Sequence, residues 1–257
     1  MHASRQDISP EECSDTEQGQ LESLPRVMIA APHGKSGKTI LVAGLLRALK
    51  NRGVDVQPFK KGPDYIDPGW HSVAAGRYSR NLDSLFMDAS AMRAVLREAS
   101  QGVRVQIIEG AMGLFDGSDL AGSSSSAEVA KQTKTPVILV LDVTRMTRTA
   151  AALVKGCMDF DPDVSIVGVV INHVGTKRHE ARIREAIEHF CGIPVVGAIP
   201  EDERLAVSDR HLGLVTSVET DAADAILDSV AEVIEEHVDV DAILALADAA
   251  PPICCPD

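Results

Sequence analysis

Aromatic residues are scarce, at 3% of 257 positions. A large core must therefore be built from Val, Ile, Leu and Ala, in a chain that is 45% hydrophobic. Such residues suit strands buried on both faces by helices. Positive charge is also short, and the formal net charge is −13. That argues against a nucleic-acid partner held by a general basic field. It leaves room for an anionic ligand held by backbone N–H groups. No apolar run reaches transmembrane length, and the first residues lack the apolar core of a secretory signal. The expectation is no membrane partner and a cytoplasmic location. Five cysteines (Cys13, Cys157, Cys191, Cys254 and Cys255) are scattered without C-x-x-C spacing. They read as reduced thiols without shared chemistry. His71, His173, His179, His189 and His211 show no metal-ligand spacing either.

What is present is a rhythm. Residues 1–24 are polar, with one Arg and six Asp/Glu, and read as a disordered acidic tail. From Pro25 short apolar strands alternate with helical patterns: "RVMIAA", then "KTILVAGLLRALKNRG" with Gly53 as its stop, then "DVQPFKKG". Further strands are "VRVQIIEGAMG", "PVILVLDV", "VSIVGVVINHV" and "IPVVGAIPED". Helical stretches such as "RMTRTAAALVKGCMDF" and "KRHEARIREAIEHF" separate several of them. The pattern predicts an α/β domain over 25–240 with a mainly parallel sheet flanked by helices. Residues 241–257 read as a linker-like segment, a short helix running into a Pro-rich end. On such sheets, ligands collect at the carboxyl ends of strands.

Four constellations sit at those ends. "APHGKSGKT", Ala31–Thr39, ends like the phosphate loop G-x-x-x-x-G-K-[ST], but its first glycine is Pro32. A strand precedes it and a helix follows, the context a phosphate loop requires. Gly34, Ser36 and Gly37 form the cradle, Lys38 reaches phosphate, and Thr39 offers a hydroxyl to Mg²⁺. Lys35 adds phosphate charge or is simply solvated. "PFKKGPDYIDPGWH" carries Lys60 and Lys61, then Asp64 and Asp67. Lysines and carboxylates beside a phosphate loop suit metal and phosphoryl charge balance, though a self-compensated surface turn reads equally well. "IIEGAMGLFDG" ends an apolar strand at Glu109, a place for a metal-shell carboxylate or a loop cap; Asp116 is a weaker candidate. "VVINHV" ends at Asn172, whose carboxamide can meet a purine edge or turn the chain.

Together these stretches, with "GRYSRNLDS" after the second, resemble the N-terminal domain of cobyrinic acid a,c-diamide synthases, from about residue 26 onward. Dethiobiotin synthetase has a related fold, and its loop also lacks the first glycine. The resemblance implies a P-loop NTPase-like fold and an ATP-dependent amide ligase with ATP and Mg²⁺ as cofactors. In that family ATP phosphorylates the a- and c-carboxylates of a corrinoid, and ammonia displaces the phosphate. It implies catalytic roles for Lys38, Lys60, Asp64, Asp67 and Glu109, and metal contacts through Thr39, Asp64 and Glu109. Tyr65, Arg80, Asn81 and Asp83 are implied to face substrate. Lys61 departs from the family, which often has a small apolar residue there. The family's second half, a class I glutaminase, has no counterpart in this sequence. The expected readings are a fragment, one half of a split enzyme supplied with ammonia by a separate glutaminase subunit, or a ligase using free ammonia, and no glutaminase activity is expected of this chain. A homodimer is left open. Two alternatives stand beside this reading. One is amidation of another tetrapyrrole, such as sirohaem or nickel sirohydrochlorin. The other is a partition- or metallochaperone-type ATPase switch, whose usual lysine near the start of the loop is here His33.

Overall fold

The computed structural model describes residues 19–205 and 220–256. Seven parallel strands form one sheet: β2 (Arg26–Ala30), β3 (Val56–Lys61), β4 (Arg80–Leu82), β5 (Val105–Glu109), β6 (Val137–Asp142), β7 (Ile166–Val174) and β8 (Val195–Pro200). Their spatial order is β4-β3-β5-β2-β6-β7-β8. Alternate residues serve opposite cores, as the two-residue strand period requires. Along β2, Val27 and Ile29 enter one core and Met28 and Ala30 the other. The first core is closed by α1 (Lys38–Asn51), α2 (Asp67–Ala75), α7 (Thr220–His237) and α8 (Val240–Asp248). The second is closed by α3 (Ala89–Ala99), α4 (Ser126–Gln132), α5 (Arg148–Phe160) and α6 (Lys177–Cys191).

Local chemistry sets the helix ends. α1 stops as expected, with Gly53 left-handed at φ 73° just past its end. Asp88, Ser125 and Thr176 cap α3, α4 and α6 by accepting a backbone N–H into the first turn. Along the seam between α1 and α7, Arg47 grips Asp224 and Asp228, and Arg52 grips Glu235.

Both ends of the reading change. Gly19–Glu22 is a strand, β1, paired antiparallel with β9 (Ile253–Pro256). Residues 19–22 are therefore not part of a disordered tail, and residues 1–18 lie outside those described. The segment 241–257 is no linker. Val240, Ile243 and Ala247 of α8 are buried, as are Ile253 and Cys255 of β9. Val240, Ile243 and Ala247 bury themselves because a ready surface exists for α8 on β2, β5 and β8, and β9 finds its own against β1 and α3. Arg26 fastens this arrangement. Its fully buried guanidinium donates to the carbonyls of Leu24, Thr133, Lys134 and Pro251. Cys157, Cys191 and Cys255 are free thiols. Cys254 is disulfide-bonded, which corrects the expectation of five separate thiols. His211 lies outside the described residues. Among those described, no helix is long and apolar enough to cross a membrane.

Candidate functional site

The phosphate loop lies at the centre of the sheet, between β2 and α1. Gly37 precedes the helix at φ 89°, where an L side chain is strained. A Cβ there would also stand 2.3 Å from Asn172 Nδ2. Glycine is thus required twice over at this position. Ser36 is buried, and its hydroxyl donates to His33 O at 2.9 Å. Lys35 is exposed with φ 61°, and Gly34 faces open space. Pro32 does no harm: its carbonyl would lie 2.6 Å from a Cβ on Gly113, so the loop after β5 packs directly against it.

Lys38 donates to Met112 O at 2.8 Å and His33 O at 3.3 Å. These carbonyls hold the ammonium within the loop. Burial pushes the Lys38 amine down, aided by Lys60, against the pull of Glu109. The Thr39 hydroxyl donates to Glu109 Oε1 at 2.7 Å. Lys60, at the end of β3, donates to the same oxygen at 2.9 Å and to Asp67 Oδ2 at 2.5 Å. Parallel pairing sets Lys60 beside Glu109 in register, so adjacent strand ends deliver the pair.

Glu109 is wholly buried. Burial alone would raise its carboxyl, but His71 and Lys60 outweigh that and hold it at about 2. Lys60 is driven down by burial and up by Glu109 and Asp67, and the net direction is up, so it stays charged. Burial and the neighbouring Glu109 push Asp67 up, against Lys60. Asp64 spends Oδ1 on the backbone N–H groups of Ile66 and Asp67, and its Oδ2 lies 3.9 Å from Lys60 Nζ. It therefore shapes the turn into α2 while facing the lysine. Asp116 accepts from Gly113 N and closes the turn after β5.

The expected substrate residues divide. Tyr65 is 85% exposed on the loop after β3, open to a ligand. Asn81 donates to both Gly62 O and Asp64 O at 2.6 Å, so it holds that loop in shape. Asp83 is buried and accepts from Leu85 N at 2.9 Å, bracing the next turn. Arg80 sits 3.4 Å from Glu98 on α3. Asn172 donates to Ser36 O and accepts from His173 N, so both ends of its carboxamide brace backbone. It still lines a cavity of about 310 Å³ with Ile40, Leu41, Ile199, Pro200 and Leu205. This chamber opens on the β6–β8 side of the phosphate loop, and the Lys60–Glu109 group lies on the β3–β5 side.

The sequence reading passes over His71. Its side chain is fully buried, and Nε2 lies 2.6 Å from Glu109 Oε2. That close approach does not meet hydrogen-bond geometry. Both atoms, and His71 Nδ1, have no hydrogen-bond partner among the described residues. The available signal was the four-residue step from Asp67 to His71, one helical turn apart once Pro68 is read as a helix start.

An all-oxygen pair, the Thr39 hydroxyl in the first turn of α1 and the ionised Glu109 carboxylate at the end of β5, fits Mg²⁺, which prefers oxygen and shares its shell with substrate phosphates.

Residues 27–215 match the family described as the CobQ/CobB/MinD/ParA nucleotide binding domain. The cobyrinate a,c-diamide synthase of Archaeoglobus fulgidus is 49% identical over 231 residues, covering 90% of this chain and 50% of that protein. The hydrogenobyrinate a,c-diamide synthase of Rhodobacter capsulatus is 46% identical over 226 residues, covering 87% of this chain and 52% of that protein. The chain thus spans about half the length of these relatives. Among solved structures, chloroplast FtsY from Physcomitrella patens superposes with a TM-score of 0.51 at 16% identity, over 84% of this chain and 70% of that one. At that identity it speaks for the fold alone, a P-loop α/β sheet. The motifs, the parallel sheet and these matches agree: the chain belongs to the CobQ/CobB/MinD/ParA nucleotide-binding domain family, as a relative of the cobyrinate a,c-diamide synthases.

Proposed function

We propose that this chain carries the ATP-using half-reaction of an amide ligase whose substrate is a corrin carboxylate, the a- and c-carboxylates of cobyrinate. The supporting observation is the chain of contacts Thr39–Glu109–Lys60–Asp67, which links the phosphate loop to the loop after β3. A carboxylate is a poor acyl donor, because its leaving group would be oxide. Transfer of the γ-phosphoryl to a carboxylate oxygen makes an acyl phosphate. Ammonia then attacks the carbonyl carbon, phosphate leaves with the C–O bonding pair, and the nitrogen loses a proton.

Lys38 would leave the carbonyls of Met112 and His33 for the phosphates. Lys60, kept charged by its two carboxylates, would stand on the acceptor side and offset charge on the moving phosphoryl group. Thr39 and Glu109 would hold Mg²⁺, which supplies further charge neutralisation on the nucleotide. The apolar chamber beside Asn172 suits the nucleotide base.

The test is incubation of the chain with cobyrinate, ATP, Mg²⁺ and ammonium, followed by mass spectrometry for mono- and diamide. Amide formation with ammonium and not with glutamine is the expected result. Bound ATP with no amide from cobyrinate would overturn the corrin assignment, and sirohaem or nickel sirohydrochlorin in its place would then show whether another tetrapyrrole is amidated.

A further inference from the structure

His71 has no part in the steps above, yet its side chain is wholly buried against the wholly buried Glu109. The two oxygens of Glu109 face different neighbours. Oε1 is shared by Thr39 Oγ1 at 2.7 Å and Lys60 Nζ at 2.9 Å. Oε2 meets His71 Nε2 at 2.6 Å. A side chain kept only for packing beside Trp70 and Ala74 would be apolar. An imidazole there leaves Nδ1 unpaired among the described residues, a free-energy cost that packing does not repay.

We propose that His71 is a positioning residue that acts through Glu109. By engaging Oε2, it fixes the rotation of the carboxylate and leaves Oε1 facing the phosphate loop. One turn of α2 does this together with Asp67, which holds Lys60 from the same helix. The helix thereby sets both members of the Lys60–Glu109 pair. A partner behind a ligating carboxylate is the usual means of orienting it. The inference rests on the assignment of Thr39 and Glu109 to Mg²⁺, and does not depend on the identity of the substrate.

The experiment measures ADP affinity by calorimetry, with Mg²⁺ and with EDTA, for the unaltered chain, His71→Leu and His71→Gln. Leu fills the space without a polar atom, and the Gln side-chain amide can place an N–H against Oε2. The tightening of ADP binding by Mg²⁺ is expected to fall about 10- to 100-fold in His71→Leu, the usual loss when such a partner is removed. Affinity in EDTA should be unchanged, and His71→Gln should recover most of the loss. If His71→Leu fails to fold by circular dichroism, His71→Asn, one methylene shorter than Gln, takes its place with the same expectation. Full Mg²⁺ tightening in the Leu or Asn variant overturns the inference, as does a Gln variant no better than it. An unaltered chain indifferent to Mg²⁺ overturns the metal assignment and the inference with it. Absence of corrin amidation with the Mg²⁺ pattern intact counts against the proposed substrate alone.

Discussion

Arg26→Met removes a buried charge that has four backbone partners. Nε donates to Thr133 O at 3.1 Å, Nη1 to Leu24 O at 2.8 Å, and Nη2 to Lys134 O at 3.0 Å and Pro251 O at 2.7 Å. Four of the five guanidinium N–H groups are therefore in use. Burial lowers its pKa to about 10, which still leaves it charged at neutral pH. Methionine keeps much of the apolar stem and strips only the donors. Each carbonyl abandoned costs about 1–3 kcal/mol where it is buried, as at Leu24 and Thr133, and less at the part-buried Lys134 and Pro251, so the four would cost at most about 4–12 kcal/mol. Relief from desolvating the guanidinium returns several kcal/mol of that. The net loss is expected to be about 3–5 kcal/mol, a large share of the 5–15 kcal/mol typical of folded domains. For a chain of this size it corresponds to a fall in Tm of about 10 °C. Urea titration followed by circular dichroism reads it directly. Arg26→Lys, with three donors on one point, should fall between. A methionine variant within about 1 kcal/mol of the parent would refute the view that this guanidinium fastens the chain.

Gly37→Ala should still fold, since the site lies on a loop, but should lose nucleotide binding in calorimetry, because φ 89° and the 2.3 Å approach to Asn172 reshape the cradle. Lys38→Ala should abolish ATP-dependent amide formation with little change in melting temperature; retained turnover would place the phosphate site elsewhere. Asn81→Ala should loosen the loop around Asp64, raising the substrate KM more than it lowers kcat, because it frees Gly62 O and Asp64 O. The Arg47 guanidinium, with Asn51, holds Asp228 down from 3.8 to about 2. A lowered carboxyl stabilises fully above its unfolded value and stops doing so as pH falls through about 2. Asp228→Asn should therefore melt below the parent at neutral pH, and the gap should close between about pH 4 and pH 2.

The parallel sheet was legible because most of its strands are apolar runs, several with a polar residue at or near the carboxyl end. Glu109, Lys60 and Asn172 could be placed from that alone. The short β4 was not, since three residues carry no usable period, and α3 went unread although Met92, Leu96 and Ala99 recur at helical spacing. Asn81 and Asp83 look like ligand contacts in the sequence. Asn81's backbone partners, Gly62 and Asp64, become visible only when β4 lies beside β3, and Asp83 closes a local turn onto Leu85, two residues on. Arg26 reads as an ordinary charge at the edge of a strand, because three of its four acceptors are more than a hundred residues away or come from turns. His71 stayed hidden because its partner is reached across the sheet.

The pairing of Gly19 with Pro256 bears on how the molecule is made. Synthesis runs from the amino end, and β1 leaves the ribosome early with no strand to pair with. Its partner is translated well over two hundred residues later. The sheet can assemble around β2 and β5 in the meantime, but the β1–β9 clasp and the Pro251 contact of Arg26 must wait. Closing so long a loop is slow and entropically costly. Until it closes, the lower flank of the second core, under Ile253 and Cys255, stays uncovered, which makes this seam the place where a nascent chain is most open to mispairing.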